Sequence, residues 1–178
     1  MKRRILLTII ILLNTVSPVA WPAIAQTAPA LYVAPDGDDL NLCTINFPCL
    51  TLPRAYNLAT PGTTIYLRSG VYYPRAEWQL SGRNTITITA YPADIQNGYE
   101  RPVIDATYAP LGSTDNVIQV SSSQTITVSH IEIRNSSGRG LSSAGSSRNV
   151  TFYRVTVHHI GERCIGLVGS YITLDSSH

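Results

Sequence analysis

The chain has 178 residues, 13 basic and 11 acidic, with a formal charge of +2 and only 13% charged residues. Lys2, Arg3 and Arg4 cluster at the extreme N-terminus; without them ten arginines face 11 acids, a net charge of −1, which removes the main support for nucleic-acid binding. Past Lys2 there is no lysine, so a lysine base or Schiff-base amine is excluded from these residues.

Residues 1–25 read as an export signal: the basic Lys2–Arg4, the apolar run Ile5–Leu13, and the small-x-small site Ala23-Ile24-Ala25. The apolar run is well short of the roughly 20 residues a membrane span needs. A secreted, extracellular, monomeric product with no membrane span after cleavage is therefore expected. Residues 26–178 suit one domain, divided into a cap region 26–62 and a repeat region 63–178.

The first expected strand is Leu31–Val33, followed by an acidic loop in which Asp36, Asp38 and Asp39 offer hard oxygen ligands for calcium. Turn-forming Asp-Gly chemistry accounts for the same residues. Cys43 and Cys49 lie close together in a loop of an exported chain, which predicts a disulfide. Thr51 is placed to cap a short helix with Pro53 in its first turn, Leu52, Ala55, Leu58 and Ala59 form its apolar stripe, and Pro61-Gly62 ends it. Strands Thr64–Leu67 and Val71–Tyr73 follow, separated by a turn at Ser69-Gly70.

Gln124–Ser147 and Arg148–Tyr171 are one unit written twice, 24 residues apart. Ile126 matches Val150, Val128 matches Phe152, Ile131 matches Val155, Ile133 matches Val157, and Leu141 matches Ile165. A copy of the strand part begins at Asn84, 40 residues before Gln124, so the intervening coil carries an insertion; another begins at Tyr171. Short β-branched repeats of this period, with no helical periodicity inside the unit, stack as a solenoid. The fold class is therefore all-β, a single-stranded parallel β-helix with a short N-terminal capping helix covering its open end. The chain stops at Asp175–His178 without a closing element, so a truncated β-helix is expected. Cys164 aligns with Gly140 and is expected to be a buried, inert thiol.

The segment from Leu31 to Tyr72 resembles the opening of secreted right-handed parallel β-helix proteins of the pectate-lyase-like superfamily, and among them family nine polysaccharide lyases. The matching positions are Pro35, Gly37, Pro48, Thr51, Ala55, Pro61, Gly62, Ile65, Gly70 and Tyr72. The resemblance implies a right-handed coil and an extracellular, carbohydrate-active protein that binds acidic polysaccharide or cleaves it by lyase chemistry. It also implies calcium and a lysine, and this chain has no lysine to match. The alternative is a non-enzymatic cell-surface or adhesive module, because the matched residues all build turns and the cap.

Residues one repeat apart stack at about 4.8 Å in such a coil. With the apolar positions inward, His130 is expected beside Arg154, Glu132 beside Thr156, Arg134 beside His158, and Arg139 beside Arg163. This predicts a basic strip suited to the carboxylate of a uronic acid, since arginine binds carboxylate at two points. Asn135 falls at a turn position, replaced by His159 one unit later. His158 and His159 are expected on opposite faces of their strand.

Overall fold

A computed structural model of the protein describes residues 28–175; the segment read as a signal peptide lies outside them. Its elements in chain order begin with β1 (Ala30–Val33), α1 (Leu52–Leu58), β2 (Thr64–Leu67), β3 (Val71–Tyr72) and β4 (Trp78–Ser81). The next coil holds β5 (Asn84–Ala90), α2 (Pro92–Gln96), β6 (Val103–Asp105) and β7 (Asn116–Ser121). Two regular coils follow: β8 (Gln124–Ser129), β9 (Glu132–Ser136) and β10 (Arg139–Ala144), then β11 (Arg148–Tyr153), β12 (Thr156–Ile160) and β13 (Ile165–Leu167). The strand β14 (Ser170–Asp175) begins another turn.

Each coil from β2 to β13 contributes one strand to each of three parallel sheets, and β1 and β14 extend the first. The first sheet runs β1-β2-β5-β8-β11-β14, the second β3-β6-β9-β12, and the third β4-β7-β10-β13. Parallel pairing of successive copies is what the repeat demands, because each unit leaves one open edge that the next unit satisfies. Ile86, Ile126 and Val150 are register partners in sequence, and all three are buried. Ile104, Ile133 and Val157 form the matching column of the second sheet, and Trp78, Ile118, Leu141 and Ile165 that of the third. The 40-residue offset before Gln124 is explained by α2 and the loop between β6 and β7, both within the same coil.

Corners are made by left-handed backbone. Thr85, Thr125 and Asn149, each one residue after a paired position, have φ of 57°, 55° and 51°. His130 and Arg154 have φ of 55° and 51° at the turn from the first sheet to the second, and Asn135 and His159 have φ of 59° and 53°. Side chains other than glycine and asparagine rarely adopt this region. Its recurrence at equivalent places in successive coils shows that stacking overrides local preference.

At the N-terminal end, Thr51 Oγ1 accepts the backbone N–H of Arg54 at 3.3 Å, capping α1 as expected. The apolar stripe differs from the expectation at one place. Leu58 is exposed and Tyr56 is fully buried, with its hydroxyl 3.0 Å from Ser123 Oγ. Counting from Leu52, the inward positions are i+3, i+4 and i+7, namely Ala55, Tyr56 and Ala59. Cys43 and Cys49 form the expected disulfide. The loop it closes bonds to the outer edge of β1 through Tyr32 N–H to Cys43 O (2.8 Å) and Cys49 N–H to Tyr32 O (3.0 Å), so that edge is not left open. Gly37 is required here, since a Cβ would collide with the Cys49 carbonyl.

Candidate functional site

The outward positions of the second sheet carry the densest polar cluster. Asp105, Arg134 and His158 are register partners on β6, β9 and β12, and Glu132 lies one outward position away from Arg134 on β9. Arg134 Nε donates to Asp105 Oδ2 at 2.9 Å and Nη1 to Glu132 Oε1 at 3.3 Å. Asn135 Nδ2 donates to both Asp105 oxygens at 3.1 Å, and the Thr107 hydroxyl and backbone N–H also donate to this carboxylate. Burial on its own would raise the Asp105 pKa. The donors from Thr107, Arg134 and Asn135 outweigh that and hold it at about 2.

His158 Nε2 lies 3.1 Å from Glu132 Oε1. The two rings of His158 and His159 are in contact, 4.8 Å between centroids, with their Nδ1 atoms facing each other. This corrects the expectation that they point to opposite faces. Strand alternation assumes extended backbone, and the left-handed φ of His159 breaks it.

The basic strip is corrected as well. His130, Glu132, Arg134, Arg154 and His158 do follow the expected register, but Arg134 is held by an acid that the 24-residue repeat does not contain. Asp105 arrives from the coil with the insertion, where the spacing to Gln124 hides the alignment. Arg154 lies over its neighbour Tyr153, 5.0 Å from guanidinium carbon to ring centroid, and the His130 ring meets the edge of the same tyrosine at 5.3 Å. Burial, then Arg154 and Arg101, lower the His130 pKa, keeping its imidazole neutral at physiological pH. Arg139 opens β10 of the third sheet and Arg163 lies in the turn before β13, with Gly140 N–H bonded to Arg163 O at 2.9 Å, so neither stands on the second sheet.

Two clefts flank the cluster. One, of about 320 Å³, is lined by Glu100, Arg101, Val103 and Glu132. The other, of about 260 Å³, lies beside His130 and Thr89. Arg101 was not singled out from the sequence, because nothing in the inserted segment marks its height along the coil. A larger cleft of about 450 Å³ sits near the cap, lined by Asp36, Asn46, Arg68 and Tyr99 among others; it contains no histidine.

The calcium expectation at Asp36, Asp38 and Asp39 does not fit the geometry. Asp39 accepts the N–H groups of Leu50 and Thr51 and the Thr51 hydroxyl, and Asp38 accepts Leu40 N–H. Among the described residues no three His, Cys, Asp or Glu side chains converge as a metal site. Cys164 is also corrected: it is exposed, on the turn leading into β13, with its carbonyl packed where a side chain on Gly140 would stand.

Three parallel sheets wound by repeated coils, with an ionic cluster across one of them, define a parallel β-helix protein. The chain belongs to the family of Pel9A-like, right-handed β-helix regions, whose pattern it matches over residues 31–176. It is 37% identical over 84 residues to the pectate lyase PEL9 of Emericella nidulans, covering 44% of this chain and 20% of that one. It is 29% identical over 142 residues to the uncharacterised protein YwoF of Bacillus subtilis, covering 67% of this chain and 30% of that one. The chain thus spans less than a third of the length of these curated relatives. Among solved structures it is similar to a rhamnogalacturonan lyase (TM-score 0.63, 15% identity, 80% of this chain and 39% of that one). It is also similar to the pectate lyase Pel9A (TM-score 0.59, 22% identity, 84% and 38%).

Proposed function

We propose that the protein acts outside the cell on acidic polysaccharide, binding the chain along the second sheet and cleaving it by lyase-type elimination. The observation that carries this reading is the Glu132–His158 contact beside an open cleft edged by arginine. In such an elimination a base takes the proton alpha to a uronate carboxylate. The electron pair forms a carbon–carbon double bond, and the glycosidic C–O bond breaks, its oxygen taking a proton from water. Within this chain a lysine cannot be that base, so His158, oriented by Glu132, takes the role. Arg101 and Arg154, neither engaged by a carboxylate among the described residues, face the uronate charge. Arg134 is a positioning residue, because Asp105 and Glu132 already hold it. The likeness to the pectate lyase PEL9 supports the reaction class.

The test is incubation with pectate, alginate and glycosaminoglycans, with and without chelator, following the ultraviolet absorbance of an unsaturated uronate. Product is expected with a uronate polymer, with kcat falling about a hundredfold or more in His158→Gln and KM rising in Arg154→Gln. No product, together with unchanged polymer affinity in Arg154→Gln, would refute the proposal. Binding without product, weakened by Arg154→Gln, would favour a surface module over an enzyme.

A further inference from the structure

The outer face of the first sheet carries a column of threonines. Thr64, Thr87, Thr127 and Thr151 are successive register partners on β2, β5, β8 and β11. Their strand neighbours Ile86, Ile88, Ile126, Val128, Val150 and Phe152 are buried, so the threonines point outward, half-buried against one another. None of the four hydroxyls bonds to another side chain or to backbone among the described residues. Two positions earlier in each coil stand the exposed Thr85, Thr125 and Asn149, at the left-handed corners. The column on the other side, Tyr66, Thr89, Ser129 and Tyr153, is different: Ser129 Oγ donates to Thr89 Oγ1 at 3.0 Å, so it satisfies itself.

A column of this kind is a lattice. Strand spacing repeats the hydroxyl about every 4.8 Å across the sheet, and alternation repeats outward positions about every 6.6 Å along a strand. Threonine is stiff at χ1, and neighbours above and below hold it further, so little rotamer freedom is left to lose on binding. Each hydroxyl donates once and accepts twice. A single small molecule engages one or two of them; only a partner that itself repeats meets the whole column. The column also carries no charge, so a polyuronate, with a carboxylate on every sugar, finds no counter-charge on it.

We propose that this face binds ice. The outermost waters of an ice crystal form a neutral array that repeats on the same scale, and every one of them both donates and accepts. The threonine hydroxyls join that array, and their methyl groups occupy the gaps between its waters. A crystalline neutral glycan is the other uncharged lattice, but sugar faces need open aromatic rings to stack on. The rings bordering the column are taken: Tyr66 packs on Tyr32 and Tyr91, and Tyr153 on Arg154 and His130. The proposal does not rest on the Glu132–His158 reading, which concerns the second sheet.

The experiment grows single ice crystals in a solution of the full chain and measures thermal hysteresis, crystal shape and the fraction of protein taken into slowly growing ice. Faceted crystals, hysteresis and uptake into ice are expected. Hysteresis should fall about tenfold in Thr127→Lys, because an ammonium must shed its water to meet the lattice. Thr151→Lys, one coil further on, should act alike. Gln79→Lys makes the same change of charge on an exposed residue of the third sheet and should leave hysteresis as it was. Both threonines point away from the core, and circular dichroism of each variant identifies the one whose fold is intact. Round crystals without hysteresis, an undiminished effect in a folded Thr127→Lys or Thr151→Lys, or an equal loss in Gln79→Lys would each overturn the proposal. Retention on microcrystalline cellulose without any effect on ice would overturn it too, and assign the column to a neutral glycan. Release of unsaturated uronate should be indifferent to Thr127→Lys, which separates failure here from failure of the lyase reading.

Discussion

Asp105 concentrates the residue-scale physics of the second sheet. It is a buried carboxylate that keeps its charge because an arginine, an asparagine and a threonine all donate to it. Folded, it binds a proton only near pH 2; unfolded, it does so near the ordinary value of 3.8. Between those values the unfolded chain binds more protons, so the stabilisation is complete above about pH 4 and is lost as pH falls through about 2. The contribution is about 2 kcal/mol, following from 1.36 kcal/mol per pKa unit. Urea unfolding across this range should show that slope in the wild type and lose it in Asp105→Asn. An unchanged slope would mean that another carboxyl carries it.

Elements in this protein form because a neighbour needs their edge or face covered. The helix α1 has only seven residues, too short to be stable by itself, and holds its shape by burying Leu52, Ala55 and Tyr56 over the open coil. Its N-cap is then a measurable part of the closure. Thr51→Ala should destabilise the protein by about 1 kcal/mol, and by more if the Thr51–Asp39 hydrogen bond at 2.8 Å also contributes. Thermal unfolding of Thr51→Ala beside Thr51→Ser checks this: serine retains both bonds and should stay close to the wild type, and an equal loss in the two variants would place the effect in the methyl group. The stripe was legible from Leu52, Ala55 and Ala59, but Leu58 was misplaced. Apolarity in a helix of two turns does not say which side faces in; only the seating on β1, β2 and β4 does.

At the scale of the molecule, contacts run almost entirely between adjacent coils, so stability should be transmitted as nearest-neighbour terms. Hydrogen exchange should be slowest in β5, β8 and β11, whose both edges are paired in the first sheet, and faster in the short β3 and β13. Ile126→Ala, in the middle of the stack, should cost about 2–5 kcal/mol and raise exchange in both β5 and β11. A loss confined to β8 would contradict the coupling.

The sequence by itself determined the coil period, the inward column through Ile126 and Val150, the cap helix and the Cys43–Cys49 pairing. Each of these is set by local periodicity or short spacing, which chain chemistry prints directly. Tertiary structure alone decided that Asp105 meets Arg134, that His158 and His159 share a side, and that Arg139 stands on a different sheet from Glu132. The height of Asp105 depends on how much chain an insertion loops out, the side of His159 depends on a left-handed corner imposed by stacking, and the sheet to which an arginine belongs depends on where the coil bends. None of these is a property of neighbouring residues along the chain.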